Sequence, residues 1–206
     1  EMCIRDRAAQ FINMLYNIVD RIYIGHIPGI GASALTGVGV CMPLILIVSA
    51  FAALVGYGGA PRASIYMGKK EQHTAEQILG NCFALQIIVS LILTAILLKW
   101  NRGLLLAFGA SENTIGYASS YMNIYAIGTI FVELTLGMNA FITAQGFAKT
   151  GMYSVLIGAV SNIILDPILI FGYFGMPRMG IAGAAVATVF GQIVAASMAL
   201  WFNLKF

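Results

Sequence analysis

Residues 78–99 read ILGNCFALQIIVSLILTAILLK, and no side chain between Ile78 and Leu98 carries a charge. A helix needs about 20 apolar residues to cross a bilayer, and this stretch supplies them. Five more runs of the same kind flank it. With it they predict six membrane spans, at about 8–27, 36–58, 77–99, 118–144, 152–174 and 181–204. Strands of about ten residues with alternating polarity are missing, so a transmembrane barrel is not expected. The fold class that follows is all-α and integral to the membrane, a bundle of six transmembrane helices.

Composition agrees. Of the 206 residues, 60% are hydrophobic and only 9% are charged. A soluble domain carries about 25% charged residues. That excludes a globular domain in water, a disordered chain, and a nucleic-acid binder, because a net charge of +3 spread over the whole length makes no basic face. The cysteines, Cys3, Cys41 and Cys82, have no framework spacing and read as small apolar side chains.

The connections are short and hold most of the charge. With the N-terminus inside, Arg5, Arg7, Arg62, Lys69, Lys70, Lys149 and Lys205 fall on one side, and Lys99, Arg102 and Arg178 on the other. The bias predicts both termini of this chain in the cytoplasm, and the bundle is expected in the cell's inner (plasma) membrane. Residues 1–7, EMCIRDR, bear no relation to the apolar run that follows. They read as a non-native or cytoplasmic leader ahead of a bundle over 8–206.

Ionisable side chains at membrane depth are costly and mark function. Asp20, Glu133 and Asp166 lie within spans. Asn162 precedes Asp166 by one turn, so the two share a helix face. Pro167 lacks an N–H and frees the carbonyl of Ile163 beside that carboxylate. Depth extends the set. Asp20 lies about 18 Å and Asp166 about 21 Å from the inner ends of their spans, and Thr188 about 10 Å from the outer end of the last. Asp20, Asn162, Asp166 and Thr188 can therefore meet in one layer, whose hard oxygen ligands suit a proton or a sodium ion. No other metal and no organic cofactor is expected. Glu133 either lines a cavity and attracts cationic cargo, or pairs with a polar neighbour such as Asn139. In the last span, Gly180, Ala184, Ala187, Gly191 and Ala195 recur at helical spacing and predict close helix packing.

Several stretches carry a resemblance: NMLYNIVDRIYIGHIPGIGASALTGVGVCMPL (13–44), GYGGAPRASIYMGKK (56–70), NAFITAQGFAKTGM (139–152), VLIGAVSNIILDPILIFG (155–172) and MGIAGAAVAT (179–188). In this order they resemble the multidrug and toxic compound extrusion (MATE) family, from about Phe11 to Phe206. The resemblance implies one lobe of a twelve-helix transporter with pseudo-two-fold symmetry. It implies antiport of organic cations and drugs against protons or sodium by alternating access. It also implies that Asp20, Asn162, Asp166 and Thr188 form the cation site. The partners implied are small organic cations, the lipid bilayer, and a C-terminal lobe that a six-helix fragment would lack.

Two other readings start from the same residues. A flippase for lipid-linked oligosaccharides shares the architecture, but would line its cavity with basic residues to meet pyrophosphate. An intramembrane aspartyl protease would use Asp20 and Asp166 as a dyad. Such enzymes carry Gly immediately before one Asp, and here Leu165 precedes Asp166. A non-enzymatic transporter is the expectation.

Overall fold

The structure is a computed structural model that describes the backbone of residues 2–205 and the side chains of Phe11 and of residues 14–205. Among the described residues it is all helix with no strand. The elements are α1 (Met2–Gly25), α2 (Gly31–Gly68), α3 (Gln72–Lys99), α4 (Asn101–Ala107), α5 (Ile115–Ala144), α6 (Ala148–Phe171), a 3-10 turn (Tyr173–Gly175) and α7 (Ile181–Asn203). Five of these, α2, α3, α5, α6 and α7, are long and apolar enough to cross a membrane. At 24 residues α1 is also long enough, about 36 Å, and its described part carries Asp20 and Arg21.

The helices depart from the expected spans where they meet the bilayer edge. The apolar run predicts a second span ending at Gly58, yet α2 runs 38 residues to Gly68, through Pro61. Proline removes one intrahelical bond, but Gly59, Ala60 and Ala63 are buried around it, and that packing holds the helix together. The connection after Lys99 was expected to be loop, but its first half coils into α4. The fifth span ends three residues early. Gly172 adopts φ +77° and closes α6 with an N–H bond to Ile168 O, a left-handed cap that only glycine takes without strain. The backbone of α1 shows no break between residues 2–7 and the rest of the helix. The side chains of that leader, Arg5 and Arg7 included, lie outside the described residues.

Helix α5 is the central pillar, packing on α2, α3, α6 and α7, while α1 rests chiefly on α6. Two apolar cores sandwich its midpoint. One gathers Ile24, Val48, Leu105, Met122 and Ile170 toward the end with the α1–α2 turn. The other gathers Ala60, Met138, Phe141 and Ala199 toward the end with the charged α2–α3 turn. Lysines lie over aromatic rings at the helix ends: Lys69 over Tyr66 (5.3 Å), Lys99 over Trp100 (5.2 Å) and Lys205 over Trp201 (3.9 Å). Such amphipathic pairs sit where hydrocarbon gives way to headgroups.

Helices α6 and α7 approach each other backbone to backbone. A Cβ on Gly191 would lie 2.7 Å from Gly158 O, and a Cβ on Gly183 2.6 Å from Leu169 O. Only glycine fits at either place. Ala184, Ala187, Gly191 and Ala195 of the expected stripe are buried, whereas Gly180 caps α7 with open space beside it and Gly183 takes the close contact at that end.

Candidate cation site

Between the contacts at Gly183 and Gly191, the antiparallel register sets Asn162 of α6 opposite Thr188 of α7. Turned one way, the Asn162 amide donates from Nδ2 to Asp166 Oδ1 (3.5 Å) and to Thr188 Oγ1 (3.4 Å). Turned the other way, Nδ2 donates to Asp166 Oδ2 at 3.2 Å and Oδ1 accepts from the Thr188 N–H at 3.1 Å. The second orientation satisfies both ends of the amide and is the one assigned.

Helix α1 brings the second acid. The carboxyls of Asp20 and Asp166 approach each other at hydrogen-bonding range, with the Arg21 guanidinium in electrostatic reach of Asp20. Asp20, Asn162 and Asp166 are 7%, 2% and 0% exposed, so water does not screen the pair. Two buried carboxyls in contact need a shared proton or a cation between them. Asp20 Oδ1 has no hydrogen-bond partner, which leaves one oxygen free to bind such a ligand. Pro167 sits inside α6 beside Asp166, and with no N–H it cannot bond the carbonyl of Ile163 one turn back.

The structure thus brings Asp20, Asn162, Asp166 and Thr188 into one layer. It adds tyrosines that reading for acids passed over. Tyr16 is in electrostatic reach of both acids, and Tyr121 hydrogen-bonds Thr188 and faces Asp20. Tyr121 stacks on Tyr125 with ring centroids 6.3 Å apart. The signal was present as spacing: Tyr16 stands four residues before Asp20, and Tyr121 four before Tyr125.

Glu133 and Asn139 are not part of this layer, nor do they pair with each other. Asn139 donates to Gly151 O (3.2 Å) and Ser154 Oγ (3.3 Å), tying α5 to the start of α6. Glu133 is fully buried, and neither carboxyl oxygen has a partner.

Known proteins share this arrangement of helices. The chain is similar to the "Probable multidrug resistance protein YoeA" of Bacillus subtilis (strain 168), 28% identical over 164 residues, which are 80% of this chain and 35% of that protein. It is similar to the "FAD transporter" of Shewanella oneidensis, 28% identical over 183 residues, 89% of this chain and 40% of that protein. The solved structure of the MATE multidrug transporter DinF-BH superposes with a TM-score of 0.88 at 32% identity, over 98% of this chain and 44% of that one. The chain therefore spans well under half the length of these relatives. The profile of the MatE family matches residues 8–168. With that match covering most of the chain, this multi-pass membrane protein belongs to the MatE family.

Proposed function

We propose that the chain is one six-helix lobe of an exporter that moves aromatic or cationic organic molecules out of the cell in exchange for a proton or a sodium ion. The observation that carries this reading is the contact between Asp20 and Asp166 in a buried layer, held to α7 through Asn162. A proton or sodium ion bound between the acids removes their repulsion. Releasing it forces α1 and α6 to rearrange. An ion that binds one arrangement more tightly than the other shifts the balance between them, which is what coupling requires.

The second lobe is supplied by the remainder of the full-length protein, and the cargo path lies between the lobes. In this reading both termini of this chain lie in the cytoplasm, which the bias of Lys and Arg supports, and the bundle lies in the plasma membrane. One relative bears the name of a multidrug resistance protein and another that of an FAD transporter, which makes drugs and FAD the cargoes to test.

The test is efflux from everted vesicles carrying the full-length protein, with ethidium and FAD as separate cargoes, under a sodium or a proton gradient. Wild type exports at least one cargo, the effective gradient names the ion, and Asp166→Asn stalls. Equal export by wild type and variant removes the coupling role of Asp166. Movement of a lipid-linked pyrophosphate but of neither soluble cargo replaces the reading with the flippase.

A further inference from the structure

Helix α5 carries Tyr121, Tyr125, Thr129 and Glu133 at intervals of four, and all four are at most 4% exposed. Tyr121 reaches the Asp20 layer, and Tyr125 is in electrostatic reach of Tyr16 on one side and Glu133 on the other. The stripe thus runs from the two-acid layer to a third acid that the cation site does not use.

The surroundings of Glu133 are unusual. The close approach of α2 and α5, where a Cβ on Gly56 would lie 3.0 Å from Gly137 Cα, leaves room for one side chain, and Gln86 of α3 fills it against Gly137. Gly137 is one turn beyond Glu133 on the same face of α5. Gln86 is 0% exposed, and neither its Oε1 nor its Nε2 has a partner. An acid and an amide, each with two unsatisfied atoms, therefore stand one turn apart in the interior. At this level α2 presents Ala52 and Gly56, α3 presents Gln86 and Ser90, and none of these ionises; α7 has no ionisable side chain along its length, and those of α6 are Lys149, Tyr153 and Asp166. Tyr125, two turns before Glu133 on α5, is in electrostatic reach of it. No basic side chain is in place to balance a carboxylate among these neighbours, whereas a proton makes Glu133 neutral and gives it a donor.

We propose that Glu133, one turn from the buried amide of Gln86, is a second proton-binding site of this lobe, linked to the Asp20–Asp166 layer through Tyr121 and Tyr125. Its ligand is a proton bound within the bundle, so Glu133 is not a contact for cargo. The site does not depend on the export reading, because its occupancy is read without transport.

Infrared difference spectroscopy on the full chain in lipid, stepped from about pH 5 to about pH 9, tests it. A protonated carboxyl carbonyl band that shifts in heavy water, disappears with pH, is lost in Glu133→Gln and survives in the double variant Asp20→Asn/Asp166→Asn is the expected result. Gln86→Leu keeps the acid but removes the amide beside it. The band then moves to the position of a less hydrogen-bonded acid, which guards against misfolding of the Glu133 variant. Tyr125→Phe shifts the midpoint of the band's titration. A band that never changes over this range, or one that persists in Glu133→Gln, overturns the site. A midpoint unmoved by Tyr125→Phe overturns the link.

Discussion

Asn162 and Thr188 face each other across the α6–α7 seam, so the amide that holds Asp166 is itself positioned by the neighbouring helix. The acid's orientation is thereby a property of two helices, and anything that separates them disturbs it. Both the bridge and the packing around it are open to measurement.

Asn162→Ala removes the bridge and leaves one oxygen of Asp166 without its donor. The expected loss of stability is about 1 kcal/mol, since membrane hydrogen bonds contribute modestly. Thermal unfolding of the purified chain in detergent measures it. No loss at all would mean that the bridge contributes nothing.

Gly191→Val and Gly183→Val each drive a side chain into the backbone of α6, at Gly158 O and Leu169 O. Overpacking of this kind costs about 1–3 kcal/mol. Gly39→Ala, where a Cβ meets nothing within 4 Å, serves as the neutral comparison. The same melting experiment should rank the two valine variants well below the alanine variant.

If the acid layer binds sodium, sodium chloride in place of choline chloride at equal ionic strength raises the melting temperature of wild type. At a hundred times the dissociation constant the stabilisation is about 2.7 kcal/mol. Asp20→Asn and Asp166→Asn each abolish the response, and the double variant adds nothing further, because the two side chains act as one site. A response to pH alone, with none to sodium, assigns the layer to protons.

The topology has a direct test. Phe174, 93% exposed in the turn before α7, and Lys70, in the α2–α3 turn, lie at opposite ends of the bundle. With the native cysteines replaced, Phe174→Cys takes up an impermeant maleimide in intact cells. Lys70→Cys does so only after the membrane is opened. The reverse pattern would invert the orientation drawn from Lys and Arg.

The sequence was most legible where chemistry is local. Uninterrupted apolar runs marked the long helices, because lipid leaves a backbone little choice but to bond within itself. Asn162 and Asp166 were paired by spacing alone, and Asp20 and Thr188 joined them by counting depth along straight helices. What stayed hidden depends on contacts between helices. Pro61 reads as a stop until Gly59, Ala60 and Ala63 are seen packed around it. Glu133 and Gln86 sit 47 positions apart, and nothing near either one signals the register of α3 against α5 that brings them within one turn of each other. Tyr121 and Tyr125 pass for membrane aromatics until Thr188 and Asp20 appear beside them.

The pairing of α1 with α6 also has a consequence for how the protein is made. Asp20 leaves the ribosome 146 positions ahead of Asp166. At about 5–20 residues per second, the first helix waits roughly 7–30 s for the partner that receives its carboxylate. Throughout that interval the adjacent Arg21 is the charge at hand to accompany it. Of the described helices, α1 is therefore made first yet settles against α6 only after α2, α3, α4 and α5 have followed it.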